Sequence, residues 1–272
     1  MAGPPTVFDR RLVRLRRERA VPSLGDHAFL FEAAAERLAD RLDDMRRAFP
    51  LAVELGSRGG AFSRALAQRG RALPLIQTDL SPLTLRTLGG TRVAADEEAL
   101  PFAAGSLDAV LSVLALSEVN DLPGVLAQIR RALRPDGLLL ASVFGGATLI
   151  ELRVAMAEAE AATVGGASPR VAPFADAADL GALMQRAGFA GPVVDSDVIA
   201  VEYADAARLL GDLKGMGLGN ALADRRRAPL RRTTLAATIE ALARRSDPAT
   251  GRLRITFEIV TLTGWAPPTS TT

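Results

Sequence analysis

The chain contains no cysteine and a single histidine. Without thiols there can be no disulfide, no thiolate metal site and no cysteine nucleophile. His27 stands alone, far upstream of the glycine-rich turn described below, and reads as a surface residue at a helix start. Neither a metal centre nor a histidine-based triad is expected. Aromatic residues make up only 4% of the chain. That leaves few stacking platforms, so a pI near 9.8 is not a nucleic-acid signature. Lysine is nearly absent as well: apart from Lys214, all 33 basic residues are arginine, and the formal net charge is only +2. No apolar run approaches the roughly 18 residues of a membrane span. Met1-Ala2-Gly3-Pro4-Pro5 lacks the basic-then-apolar order of a secretory signal, so the expected location is the cytoplasm.

What is present is 272 residues with 49% hydrophobic content, enough for a large α/β core. Its organising stretch is Leu51-Ala52-Val53-Glu54-Leu55-Gly56-Ser57-Arg58-Gly59-Gly60, which runs straight into Ala61-Phe62-Ser63-Arg64. An apolar strand, a tight glycine turn and a helix start place bare backbone at the carboxyl end of a strand. Doubly wound sheets bind nucleotide-like cofactors there, although such turns also occur simply to reverse the chain. A second apolar run ends in Asp79, a little over ~20 residues on, the spacing at which such folds hold ribose hydroxyls. A third, Thr91 to Ala95, stops at Asp96, Glu97 and Glu98. Acids at successive strand tips would line one crevice. As an alternative, each could cap the segment that follows it.

Upstream, Arg10, Arg11, Arg14, Arg16, Arg17 and Arg19 enclose Leu12, Val13 and Leu15 in a helical, half-buried pattern. This block is either a solvated face or a docking surface for an acidic partner or lipid headgroups. A second helix, Ala28 to Arg47, is expected to cover the cofactor end of the sheet. Downstream, Ser106 to Val113 reads as a central strand. Leu122 to Leu133 is a helix capped by Asn120 or Asp121 with Pro123 in its first turn. Arg134-Pro135-Asp136-Gly137 turns the chain into Leu138 to Phe144. Helices follow at Thr148 to Ala162 and Ala177 to Ala187, around a loop at 165–173, and then a strand from Pro192 to Tyr203. Two helices, Asp205 to Lys214 and Thr233 to Arg245, flank Gly215-Met216-Gly217-Leu218-Gly219-Asn220. The last strand, Arg252 to Trp265, pairs antiparallel with the Pro192 strand, and the tail beyond Trp265 is expected to fray. The fold class is α/β: a Rossmann-like, doubly wound, seven-stranded sheet with a helical insertion before the last strand. The expected divisions are an N-terminal helical segment (1–48), a cofactor-binding domain (49–203 and 251–266) and a helical roof (204–250) where substrate is selected.

These pieces, taken together, resemble a known family. They include Val7-Phe8-Asp9-Arg10, Gln77-Thr78-Asp79, Ala95-Asp96-Glu97-Glu98-Ala99-Leu100-Pro101-Phe102 and Val119-Asn120-Asp121-Leu122-Pro123. Leu133-Arg134-Pro135-Asp136-Gly137, Phe144-Gly145-Gly146-Ala147-Thr148 through Arg153, Arg186-Ala187-Gly188-Phe189 and Leu213-Lys214-Gly215-Met216-Gly217 complete the set. Their order over nearly the whole chain is similar to class I S-adenosylmethionine-dependent methyltransferases. Within these it is similar to the arginine-hydroxylating assembly factors of mitochondrial complex I and their bacterial relatives. A more distant likeness is to the methyltransferases that esterify a malonyl carrier protein in biotin synthesis.

The resemblance implies S-adenosylmethionine as cofactor and a protein substrate, a subunit of respiratory complex I. Peripheral membrane contact would run through the basic N-terminal helix. It also implies roles: Glu54, Gly56 and Gly60 shape the methionine pocket, Asp79 holds the ribose hydroxyls with Leu80 beside it, and Asp96 accepts from the adenine amino group with Glu97 next to it. Ser112 sits beside the sulfonium. The chain departs from the family pattern twice. Arg58 stands where the family has glycine, and Ser117-Glu118 where it usually has His-Trp. Those departures leave open a second reading, a non-catalytic assembly or binding protein that keeps the fold.

Overall fold

The computed structural model describes residues 6–71 and 73–269. The start Met1–Pro5, Ala72 in the second apolar run and the last residues of the tail therefore lie outside the described residues. The chain opens with α1 (Arg10–Ala20), a 3-10 turn, α2 (Leu24–His27) and α3 (Phe29–Asp43). Strands and helices then alternate: β1 (Ala52–Leu55), α4 (Ala61–Gln68), β2 (Leu75–Asp79), α5 (Pro82–Arg86), β3 (Thr91–Ala94), β4 (Leu107–Val113), α6 (Leu122–Ala132) and β5 (Leu133–Phe144). The remainder is α7 (Ile150–Val164), α8 (Ala177–Arg186), β6 (Ala190–Tyr203), α9 (Ala206–Gly215), α10 (Arg232–Ala243) and β7 (Leu253–Trp265). The seven strands form one sheet in the order β3-β2-β1-β4-β5-β7-β6. β1 to β5 are parallel, whereas β7 runs antiparallel between β5 and β6.

The pattern of apolar residues explains the layers. Every residue of β1 is buried, as expected of a central parallel strand covered on both faces. On one face Leu30, Phe31, Leu38 and Leu42 of α3 pack with Phe62 of α4, Leu152 of α7 and Leu209 of α9. On the other, Val125, Leu126 and Ile129 of α6 pack with Leu180 and Met184 of α8. Each such side chain contributes about 1.5–3 kcal/mol on burial. The chain order reverses between β1 and β4, which opens a crevice at their carboxyl ends.

One expectation is qualified here and another corrected. The N-terminal arginine block is helical and half buried as expected, but its buried stripe itself carries charge, so the block is not simply a solvated or docking face. Arg10, Val13, Arg17 and Ala20 fall at i, i+3, i+7 and i+10, a single helical stripe, and Val13, Arg17 and Ala20 are buried. Nor is α3 the element that closes the crevice. It packs on the face of the sheet, and α1 lies across the strand tips through Arg10 and Arg17.

Candidate active site

The turn after β1 takes a left-handed course through Gly56 (φ 68°), Arg58 (φ 36°), Gly59 (φ 77°) and Gly60 (φ 74°). It is pinned to β2 by the Ser57 N–H donating to the Thr78 carbonyl at 2.8 Å. Gly56 is required by close approach: a Cβ there would lie 2.2 Å from the Ala115 Cβ and 2.9 Å from Glu97 Oε1. Gly60 heads α4 in the left-handed conformation.

Asp79, at the tip of β2, is completely buried. Its Oδ1 accepts from the Ser81 N–H at 2.8 Å, and its Oδ2 from the Arg58 N–H at 3.2 Å. Burial pushes its pKa up, opposed chiefly by the Arg17 cation 3.5 Å away. Glu97 lies opposite. There Arg17 and Arg10 outweigh burial and hold its carboxyl down at about 2, with the Arg17 guanidinium donating at 2.6 Å. Asp96 is one-third exposed and pairs with Arg10 at 2.5 Å. Glu118, from the 3-10 turn after β4, is 3.3 Å from Arg17 and also pairs with Arg58. The strand-tip acids are thus real neighbours, and each is matched by an arginine.

Glu54 behaves differently. It is fully buried with no well-formed hydrogen bond to either carboxyl oxygen, and burial, opposed by the nearby Ser57 hydroxyl and aided by the Asp79 charge, pushes its pKa up to about 8. Burial thus favours the protonated form of Glu54 in the folded protein. Leu80 packs beside Val13 and Phe8. Ser112 is buried and its hydroxyl donates to the Leu55 carbonyl at 2.9 Å. That hydrogen bond ties β4 to β1 at the crevice end of the sheet.

Sequence reasoning missed three functional neighbours. The first is the contact between the two departures from the family pattern. Arg58 and Glu118 are ion-paired in the interior, 60 residues apart in sequence, and Arg58 also lies 5.3 Å from the Phe31 ring centroid. The two side chains neutralise each other. The second is Arg17, which touches Asp79, Glu97 and Glu118. Its seven-residue offset from Arg10 was visible in the sequence, but no spacing reveals which acids it meets. The third is His27. It is no isolated surface residue: its Nδ1 lies 2.7 Å from Asp212 of α9, and it lines a cavity of about 670 Å³ beside the crevice.

The donor and acceptor set suits an adenosine. Asp79 can accept from a ribose diol, and Asp96 is open at the rim to a base. The space between is filled by the Arg17 and Arg58 side chains, and the residual void among Arg17, Arg58, Asp79, Thr84 and Met216 is about 10 Å³, no more than a water. A nucleoside at Asp79 would have to displace both side chains from their carboxylate partners.

This sheet order and glycine turn define a class I methyltransferase fold. Residues 53–141 match the model of the family described as "Methyltransferase domain". The chain is similar over 95% of its length, at 38% identity, to the mouse mitochondrial arginine-hydroxylase NDUFAF5, of which it covers 77%. It therefore belongs to the methyltransferase-fold family that contains that enzyme. It also shares 36% identity over 95% of its length with the malonyl-[acyl-carrier protein] O-methyltransferase of Laribacter hongkongensis, covering 90% of that protein. Among solved structures, the [4+2]-cyclase SpnF superposes with a TM-score of 0.58 at 16% identity, covering 98% of this chain and 100% of that one. A cyclase on this fold means that the fold alone does not fix the reaction.

Proposed function

We propose that the chain is an S-adenosylmethionine-dependent enzyme that modifies a protein side chain during assembly of respiratory complex I. The observation that carries this reading is Asp79, a fully buried carboxylate at the switch point of the sheet beside the left-handed glycine turn. The family membership supports an enzyme, and relatives named as arginine hydroxylases support a protein substrate. S-adenosylmethionine, when bound, supplies an already activated methyl sulfonium. Asp79 and Asp96 would orient the nucleoside, and Glu54, carrying its proton, would offer a hydrogen-bond donor to the methionine end. The roof of α9 and α10 would exclude water and select substrate. Among the described residues no helix is long and apolar enough to cross a membrane. Contact with an inner membrane would therefore be peripheral.

Calorimetry with S-adenosylhomocysteine tests the reading: saturable binding that is lost in Asp79→Ala supports it, and no binding at millimolar concentration rejects it. Mass spectrometry of a complex I subunit after incubation then tells methyl transfer from hydroxylation by the group gained. The buried Arg58–Glu118 pair favours a second reading, an assembly protein that keeps the fold without turnover.

A further inference from the structure

Helix α1 has a second face. Leu12, Arg16 and Arg19 recur at i, i+4 and i+7 and line the 670 Å³ cavity, opposite the roof segment that follows α9. Apolar side chains, Leu149, Leu152, Met156, Phe174 and Leu218 among them, make up much of the rest of the wall. Charge on this wall is unbalanced. Glu118 is its one carboxylate among the described residues, and it is already held by Arg17 and Arg58. Arg170 is neutralised by Glu160, and His27 is hydrogen-bonded to Asp212. Arg16, Arg19 and Lys214 also line the cavity, and none of the ion pairs among the described residues includes them.

Arg16 is the most exacting of the three. Its Nε is buried without an acceptor, and its guanidinium lies against Gly219, where a Cβ would come within 1.7 Å of Nη1. Burial and the Arg225 and Arg19 cations push its pKa down, opposed by Glu118. A cation that is partly desolvated, crowded by like charges and short of an acceptor is relieved by an anion. Gly215 makes the same kind of room for the His27 ring, 2.1 Å from a notional Cβ. The glycine-rich segment at 215–219 thus seats both N-terminal groups on the cavity wall.

We propose that this cavity binds a single-chain anionic amphiphile, its tail among the apolar side chains and its carboxylate or phosphate head at Arg16, Arg19 and Lys214. The volume falls within the ~300–1,000 Å³ of small-molecule sites. The site lies on the other side of α1 from the nucleoside crevice and meets it at Glu118.

The test is displacement of the fluorescent fatty acid cis-parinarate from the full chain by laurate, by dodecyl phosphate and by dodecyltrimethylammonium, all below micelle formation. Laurate or dodecyl phosphate should displace the probe, and the stronger of the two identifies the source as a free fatty acid or a phosphate-headed lipid. The ammonium should fail. Arg16→Gln should weaken the anion about tenfold, equivalent to about 1.4 kcal/mol. Leu152→Trp, which fills the tail space, should weaken every chain. If Arg16→Gln does not fold, as judged by thermal melting, Lys214→Gln takes its place. Equal displacement by anion and cation, unchanged affinity in the arginine or lysine variant, or failure of the probe to bind at all would overturn the proposal. A parallel titration with S-adenosylhomocysteine keeps failure of this site separate from failure of the crevice reading.

Discussion

Replacing Arg58 with glycine should open the nucleoside crevice. In the folded chain Arg58 is 4% exposed, its Nε and Nη1 are buried without acceptors, and its backbone holds a left-handed φ of 36°. That conformation costs a non-glycine residue about 1–2 kcal/mol. Burial also pulls the pKa of its guanidinium down, helped by the nearby Arg17 cation. Holding it in place are Glu118 and the Phe31 ring. A nucleoside must break those contacts to reach Asp79. If they favour the seated arginine by about 2 kcal/mol, the receptive arrangement is populated to a few per cent and apparent affinity falls about thirtyfold. Calorimetric titration of S-adenosylhomocysteine should therefore show Arg58→Gly binding about thirtyfold more tightly than the natural chain. Stability should change little, because relief of backbone strain offsets the lost pair and Glu118 keeps Arg17 at 3.3 Å. Adding Glu118→Trp should be non-additive with Arg58→Gly, since the two positions touch. Affinity that is unchanged or weaker in Arg58→Gly would refute the reasoning and assign the arginine a part in holding the ligand.

Asp79→Asn should weaken nucleoside binding by about 1.5–3 kcal/mol, and it should also lower the apo melting temperature because Arg17 loses a buried partner. A melt that does not move would show that the Arg17 contact contributes nothing to stability. Glu54 keeps in the folded state a proton that the unfolded chain releases near its ordinary pKa of 4.5, so stability should fall as pH rises from about 4.5 through about 8. Urea titrations across that window should show the slope in the natural chain and lose it in Glu54→Gln. Glu160 accepts from the Ser168 N–H and hydroxyl and from Arg170, holding the segment that carries Arg170, Val171 and Phe174 to the cavity. Glu160→Gln should raise hydrogen exchange across residues 165–174 and leave the sheet unchanged. Equal exchange in both chains would show that the segment is held by other contacts.

The strands were legible as apolar runs, the first stopped by the Gly56 turn and the second by Asp79. Leu51 to Leu55, Leu75 to Asp79 and Ser106 to Val113 each announce a strand and its crevice end. Antiparallel pairing of β6 with β7 followed from helices that did not have to cross the sheet. The arginines were not legible in the same way. A charge run shows sign but not partner, and the acids that turn Arg10 and Arg17 inward lie more than sixty residues downstream. Arg58 and Glu118 each looked like a defect because each was weighed alone, and only proximity shows them to be complementary. His27 was misjudged because its partner Asp212 lies 185 residues away.

Arg16 and Arg17 are consecutive in the chain, yet one faces an oily chamber and the other the strand-tip carboxylates. The short helix that carries them is a shared wall between two rooms. A guest that tilted this wall from one side would alter the welcome on the other, and thermodynamic reciprocity would make the influence equal in both directions. Occupancy of the greasy room and of the nucleoside room would then be read by one lever of eleven residues.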